Sequence, residues 1–413
     1  MINVSLLFML FAGIVFLGYI LDAMFYKFKI SSIMPLLIIG LLIGPVLHLV
    51  DTSQTSVIVQ VTPFVTAIAI AVVLFDVGMN IRISSLRSVL MKASLFTILT
   101  SVITGSIFTI MLYYSLHWSV LVSLMIGFAL SGTSSIMIPR LFRFIKASED
   151  MKTAMAFQCV FNDVFSLVVP LIFFNILETG KYSLYYISGE LGSFVIGSLL
   201  LGVAFAGFWI FVLRKFKKFS SEYSWMLTLT IVVAIYGVSE YLGFNGALST
   251  FIFGILLANI PDLGLFPKRV FKSVFFDLGH IKTYQKEVTF FVSTFFFVYI
   301  GMLFETQGLS YGLVLLAILM AIIMLLVRYL TADLLKGITS RGKHKNSDNT
   351  LIRFYVAQGL SPAIVATLPA TIGLVVPGLI DVTFLVMLIT NIILSIGLYR
   401  YARQRAAEYG QGK

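Results

Sequence analysis

The chain has 413 residues, of which 59% are hydrophobic and 11% are charged, and its formal net charge is +11. This composition excludes an ordinary soluble domain and predicts an all-α polytopic membrane protein, because a spanning helix must be apolar and must satisfy its own backbone. One cysteine, four scattered histidines and no Gly-rich phosphate loop exclude disulfide, zinc, haem and nucleotide sites, so we expect no cofactor and no enzymatic activity.

Thirteen apolar runs of spanning length follow one another along the chain. Only Gly243 separates the eighth run from the ninth, so these two could also be one segment. The first run lacks the basic start and cleavage site of a removable signal peptide, and we expect it to remain in the mature protein. The runs lie at about residues 3–25, 31–50, 56–79, 90–115, 118–142, 151–176, 185–213, 223–242, 244–261, 287–305, 309–335, 350–374 and 379–400.

The basic residues predict the orientation of the chain rather than a nucleic-acid partner. All but two of the 29 Lys and Arg residues lie in alternate connections, which the positive-inside rule assigns to the cytoplasm. The exceptions are Lys181, in an opposite connection, and Arg328, inside the eleventh run. We therefore expect a cell-membrane protein in contact with the lipid bilayer, with its N-terminus outside and its C-terminus in the cytoplasm.

Asp163 is an acid in the middle of the apolar sixth run. It lies about 17 to 20 Å along a helix that enters the membrane near Met151. A carboxylate at this depth costs at least about 2.5 to 3.5 kcal/mol, so such residues usually face a cavity and bind ions, protons or substrate. Asp163 is therefore the first functional candidate, and the alternative is a structural acid bonded to neighbouring helices.

Two runs contain residues that interrupt a helix. The fifth has Gly132 among consecutive hydroxyl residues, which favour side-chain to backbone bonds over a continuous helix. The twelfth has Gly359 and Pro362, and the proline lacks a backbone donor. The two runs are seven spans apart and so have opposite orientations. Interrupted helices in inverted halves indicate a midplane ion site in secondary transporters.

Helical rise brings Thr133, Ser361 and Arg328 to a depth similar to that of Asp163. Thr133 and its neighbour Ser134 could face an ion or bond back to their own helix. Arg328 could extend to the cytoplasmic interface, or it could bond the carbonyl groups that interrupted helices leave open.

Five stretches, in this order and spacing, resemble the monovalent cation:proton antiporter superfamily, which contains Na⁺/H⁺ and K⁺/H⁺ exchangers. The resemblance implies inverted repeats with two crossing broken helices. It also implies that Asp163 binds cation and proton in turn, with Asn162, Thr133 and Ser134 as ion-binding neighbours. The stretches are residues 33–45, 74–79, 162–163, 295–301 and 358–363.

The chain departs from that family pattern in two ways. Many members with the Asn-Asp pair carry a glutamate and an arginine that form an ion bridge, and here those positions read Gln158 and Gln358, so we expect an uncharged amide pair. Ser361 is the competing match for the arginine position if the motif is aligned three residues later. The Ser- and Thr-rich fifth run is more similar to the Kef-like branch, which leaves both Na⁺ and K⁺ open.

The resemblance also implies a division of labour along the chain. Residues 1–89 and 220–308 form a scaffold through which two copies make a homodimer, residues 90–178 and 309–413 form a core that carries the ion, and residues 179–219 link the repeats. Because one acid titrates, we expect one-for-one, electroneutral exchange of Na⁺, or K⁺, for H⁺.

Two other classes remain open from the sequence. One is a channel-like K⁺ efflux pathway, or a sensor with the same fold that does not exchange ions; the absence of a nucleotide-binding domain after Arg405 argues against gated efflux. The other is an organic-anion carrier, which needs a cationic site that Arg328 alone supplies.

Overall fold

The computed structural model shows a protein that is entirely helical, without strands, in the residues that it describes. These are residues 9, 12–21, 31, 33–50, 60–81, 89–134, 141, 149–180, 184–215, 217–260, 268–304, 309–332 and 345–410. Lys181 and several basic connections, at residues 22–30, 82–88, 142–148 and 333–344, lie outside them. The helices are α1 (Ala12–Leu21), α2 (Ile33–Leu41, continued by a π-helical turn, Leu42–Val46), α3 (Thr62–Asn80), α4 (Val89–Leu116), α5 (Val120–Ala129), α6 (Glu149–Thr179), α7 (Leu184–Lys215), α8 (Lys217–Tyr241), α9 (Gly246–Asn259), α10 (Lys268–Met302), α11 (Tyr311–Thr331), α12 (Lys345–Phe354), α13 (Leu360–Thr371) and α14 (Leu379–Gly410).

Each of the thirteen predicted runs contains a helix, and the twelfth contains two. Among the described residues, seven helices are long and apolar enough to cross a membrane, and five more are apolar but shorter. The eighth and ninth runs are separate helices, because Gly243 adopts a φ of +76° between them. Asn245 then caps α9 by accepting a hydrogen bond from the backbone N–H of Leu248 at 2.6 Å.

The two predicted interruptions are present. In the fifth span, α5 ends at Ala129 and the chain leaves the helix through residues 130–134. In the twelfth, residues 355–359 are non-helical between α12 and α13. Pro362 lies in the first turn of α13, where a missing N–H breaks no helical bond, so the interruption precedes the proline.

One compact unit consists of Met1–Pro63, Ser88–Phe174 and Thr294–Lys413. In this unit α2 packs closely on the end of α10, since a Cβ added to Gly301 would lie 2.9 Å from the Cα of Gly40. Gly44 likewise lies against the backbone of Met302, with 2.8 Å from its added Cβ to that Cα. The small residues thus permit close helix approach, as the spacing of Gly40 and Gly44 predicts.

The second compact unit consists of Phe64–Arg87 and Asn175–Ser293. Its core is built by α3, α7, α8, α9 and the first part of α10, and Phe75 stacks on Phe253 with 5.4 Å between the ring centroids. The indole N–H of Trp209 donates to Thr228 Oγ1 at 3.0 Å, which joins α7 to α8 without leaving a buried donor unpaired.

The two compact units reflect packing, whereas the expected scaffold and core are defined by relative motion. Their limits differ, because the packing places residues 1–63 with residues 294–413. The division into scaffold, core and linker remains a prediction.

Gly40→Ala should destabilise the protein, because its methyl group would meet the Val298 carbonyl and the Gly301 Cα, which are backbone atoms that cannot rotate away. We expect a loss of about 1 to 3 kcal/mol in the free energy of unfolding, measured by SDS titration in mixed micelles. The control is Gly237→Ala in α8, where nothing lies within 4 Å of the added atom and alanine should stabilise the helix by up to about 1 kcal/mol. Equal stabilities of the two variants would contradict the close approach of α2 and α10.

Candidate functional site

The two interruptions meet and satisfy each other's backbone groups. The N–H of Ser134 donates to the carbonyl of Ala357 at 2.9 Å, and the hydroxyl of Tyr355 donates to the carbonyl of Ser134 at 2.6 Å. The Gln358 side chain donates through Nε2 to the carbonyl of Leu130. These bonds replace the helical bonds that each interrupted span has lost, which is a requirement inside a bilayer.

The place where residues 130–134 and 355–359 meet is called the crossing. Helix α6 places Asp163 there, and the residue is 6% exposed. Ser361, in the first turn of α13, donates through Oγ to Asp163 Oδ1 at 3.2 Å. Asp163 and Ser361 are therefore brought together, as their similar predicted depths indicate. A buried carboxylate now lies beside the point where two spans lose their helical structure.

Asn162 joins α6 to α4 and to the first interruption. Ser101 Oγ donates to Asn162 Oδ1 at 2.7 Å, and Asn162 Nδ2 donates to Thr133 Oγ1 at 3.0 Å. Thr133 Oγ1 also lies 3.9 Å from the sulfur of Cys159. Both polar atoms of the Asn162 amide are thus bound by protein groups, and this amide fixes the position of the Thr133 hydroxyl.

The hydroxyl groups of the fifth span have different partners. Ser131 Oγ bonds back to its own helix by donating to the Phe128 carbonyl at 2.7 Å. Thr133 instead bonds across to Asn162, and Ser134 Oγ is buried with no hydrogen-bond partner. Of these three hydroxyl groups, that of Ser131 is the one that bonds back to a carbonyl of its own helix.

Arg328 is buried and bonds the end of α12. Its Nε donates to the Ile352 carbonyl at 2.6 Å, and its Nη2 donates to Gln158 Oε1 at 2.9 Å. The guanidinium also lies 5.5 Å from the ring centre of Phe96. Arg328 therefore bonds a helix carbonyl, which is one of its two interpretations from the sequence. Extension to the interface is wrong, since the residue is 3% exposed.

The expected amide pair between Gln158 and Gln358 is wrong. Gln158 Oε1 is taken by Arg328, while Gln358 Nε2 donates to the Leu130 carbonyl and lies 3.2 Å from Met324 Sδ. The remaining amide atoms, Gln158 Nε2 and Gln358 Oε1, are buried without a hydrogen-bond partner. The residue that contacts Gln158 is therefore Arg328 of α11, whose side chain extends across to α6. Gln358 instead bonds the first interruption through Leu130.

Three residues at the crossing were not predicted from the sequence. They are Ser101, which orients Asn162, Tyr355, which binds the first interruption, and Asn391, whose Nδ2 donates to the Gln358 carbonyl at 3.1 Å. Each is a polar side chain in an otherwise apolar run, which is the available signal. On α4 the signal is stronger, because two further buried hydroxyl residues, Thr97 and Thr104, share helical spacing with Ser101.

The segments that meet here carry buried oxygen atoms of several kinds: the Asp163 carboxylate, the hydroxyls of Thr133 and Ser134, and an amide oxygen of Gln358. Oxygen donors suit small, hard cations such as alkali-metal ions. The nearby cation, Arg328, is held by Ile352 and Gln158.

Comparison with known proteins supports the family resemblance seen in the sequence. A sequence model of the family described as sodium/hydrogen exchanger, transmembrane, matches residues 12–404. The K⁺/H⁺ antiporter NhaP2 of Shewanella baltica is 25% identical over 271 residues, which are 63% of this chain and 45% of that protein. The low-affinity Na⁺/H⁺ antiporter NhaS1 of Synechocystis sp. is 27% identical over 296 residues, 69% of this chain and 52% of that protein. The chain spans about half the length of these relatives.

The solved structure of the sodium proton antiporter MjNhaP1 from Methanocaldococcus jannaschii at pH 8 has a similar fold. Its TM-score is 0.73 at 18% identity, and the similarity covers 97% of each chain. An electron-microscopy structure of the same protein gives a TM-score of 0.68 at 16% identity, over 98% of this chain and 97% of that one. The predicted fold class is confirmed.

Gln158→Glu should be tolerated, because Arg328 Nη2 lies 2.9 Å from the atom that a carboxylate oxygen would replace. A charge-assisted bond is stronger than the present one, and the change also removes the unpaired Nε2, so we expect stability within about 1 kcal/mol of wild type. In an Arg328→Gln background the same change should cost about 3 kcal/mol or more, since the charge is then unpaired. A double-mutant cycle on unfolding free energies measures this coupling. Additive effects would show that the two side chains do not interact.

Proposed function

The chain belongs to the sodium/hydrogen exchanger family, and on this premise we propose that it is a secondary antiporter that exchanges a monovalent cation for H⁺ across the cell membrane. The observation that carries the proposal is the buried Asp163 carboxylate beside the crossing of two interrupted spans. Na⁺ is the first candidate and K⁺ the second, and the relatives described above include proteins named for each.

Exchange follows from competition for one carboxylate. Asp163 cannot hold a proton and a metal ion at the same oxygens, so release of one favours binding of the other. Thr133 Oγ1 and Ser134 Oγ supply neutral oxygen ligands, and Asn162 holds Thr133 in place through its Nδ2. Ser361 donates to Asp163 in the present state and must turn or shift when a cation replaces its proton at that oxygen.

Access to the two sides requires motion of the site. We assign the moving core to residues 90–178 and 309–413, the scaffold and homodimer contact to residues 1–89 and 220–308, and the link to residues 179–219. Family membership supports this division. The distribution of Lys and Arg supports an outer N-terminus and a cytoplasmic C-terminus.

The crossing favours a cation over an organic anion. An anion carrier needs an available cationic group, but the Nε and Nη2 atoms of Arg328 already donate to Ile352 and Gln158. The side-chain atoms left without partners here are two oxygens, Ser134 Oγ and Gln358 Oε1, and one uncharged donor, Gln158 Nε2.

Asp163→Asn should abolish exchange, because the amide can neither take up the transported proton nor balance the charge of a cation. The measurement is proton flux from acid-loaded proteoliposomes on addition of Na⁺, K⁺ or Li⁺. The control is Asp381→Asn, which changes a buried acid in the first turn of α14 and should leave exchange intact.

Three outcomes are separated when movement of the cation is followed with a tracer beside the proton flux. Near-normal flux in Asp163→Asn would refute the mechanism. Cation movement without proton flux in the wild type would indicate a channel, and movement of neither would indicate a sensor.

The exchange should be electroneutral, because one carboxylate carries either one proton or one monovalent cation. We expect the initial rate of Na⁺-driven proton flux to be independent of a membrane potential set by a thiocyanate gradient, which adds no competing cation. A cycle that moved one net charge would instead be driven by about 2.3 kcal/mol per 100 mV. A clear acceleration at either polarity would show that a second group titrates.

A further inference from the structure

Gln358 carries a buried oxygen that the protein leaves unpaired at the crossing. The residue is fully buried, and Gln358 Oε1 has no hydrogen-bond partner. An unpaired buried acceptor costs about 1 to 3 kcal/mol, and native structures retain such atoms where they have a use. Ser134 Oγ, on the other interruption, is also buried and unpaired.

The orientation of the Gln358 amide is determined by its partner. Nε2 donates to the carbonyl of Leu130, and turning the amide over would place two oxygens against each other. The oxygen, and not the nitrogen, is therefore the atom left open. An open oxygen can bind a cation, whereas an open N–H group cannot.

The backbone of Gln358 is held on both sides by α14. Its N–H donates to Thr390 Oγ1 at 3.4 Å, and its carbonyl accepts from Asn391 Nδ2 at 3.1 Å. Asn391 is itself fixed, because Ser31 Oγ donates to its Oδ1 at 2.5 Å. With its side chain bound to Leu130 as well, Gln358 has the preorganisation that ligands of a bound ion require.

Gln358 also lies close to the other candidate ligands along the chain. The next residue, Gly359, packs on Ser134, since an added Cβ would lie 2.6 Å from Ser134 Oγ. Ser361, three residues on, contacts Asp163. The unpaired oxygens of Gln358 and Ser134 therefore belong to the two segments that meet beside the carboxylate.

We propose that Gln358 Oε1 is a ligand of the transported monovalent cation and determines which alkali-metal ion is preferred, with Ser134 Oγ as its neutral partner. This inference rests on the proposed function. An amide oxygen adds ligand strength without charge, so it changes cation preference without changing the one-for-one exchange. Selectivity among alkali-metal ions depends on the number and kind of such oxygens and on the space between them.

The test compares Gln358→Met with a matched control. Methionine keeps the volume of the side chain but removes the oxygen and the bond to Leu130. The control, Gln285→Met, removes the same kind of bond outside the crossing, because Gln285 Nε2 donates to the Val72 carbonyl at 3.0 Å. Apparent KM values for Na⁺, K⁺ and Li⁺ are measured from proton flux, and cation-dependent shifts in melting temperature are measured in detergent.

For Gln358→Met we expect the KM of the preferred cation to rise about tenfold, as for loss of one polar contact, with an altered order of preference and a nearly unchanged kcat. Gln285→Met should keep all three KM values.

Wild-type KM values in Gln358→Met, with only kcat reduced, would overturn the inference and leave Gln358 as a clamp on Leu130. If Gln358→Met does not fold, Ser134→Ala decides, because it removes an unpaired hydroxyl and no hydrogen bond. Its KM should rise, while Ser123→Ala, which removes another buried unpaired hydroxyl from α5, should change nothing. An unchanged KM in Ser134→Ala would overturn the pair of ligands. Absence of cation-dependent proton flux in the wild type would instead refute the proposed function.

Discussion

The structure depends on the mutual satisfaction of backbone groups by two interrupted spans. In a bilayer no water is available to bond an open N–H or carbonyl, and each one left open costs several kcal/mol. Here Ser134 bonds to Ala357 and Tyr355, and Gln358 bonds to Leu130. Neither interruption is stable without the other. The crossing is therefore one structural unit, although its halves are more than two hundred residues apart in the sequence.

The buried charge of Arg328 lies next to this unit and has a neutral residue, Gln158, as its side-chain partner. Arg328 donates hydrogen bonds to the Ile352 carbonyl and to the neutral amide of Gln158. The bond to Ile352 stabilises the end of α12. A glutamate at position 158 would balance the arginine locally. With glutamine there, the full charge of Arg328 acts on the buried region that also contains Asp163.

The sequence predicts the parts of this arrangement that bilayer physics determines. Thirteen apolar runs follow from length and hydropathy, the interruptions follow from Gly132 and Gly359, and Asp163 follows from the cost of a carboxylate at that depth. The contacts across helices do not follow in the same way. Which face of α11 is turned toward α6 is a rotation that depth alone does not specify, so Arg328 was placed at the right level without its partner. Ser101 and Tyr355 were missed because their partners lie on other segments, and how those segments pack is not specified by the sequence pattern.

The position of the single cysteine has a practical consequence for testing the proposed exchange. Cys159 is the only cysteine in the 413 residues, it is buried, and its sulfur lies 3.9 Å from Thr133 Oγ1. The unmodified protein therefore carries one thiol, beside the candidate ligands, and no background labelling at other positions. A small water-soluble alkylating reagent that reaches this sulfur has come close to Thr133, one of the candidate ligands. The side of the membrane from which the thiol reacts, and the rate at which it reacts, would report which way the site is open.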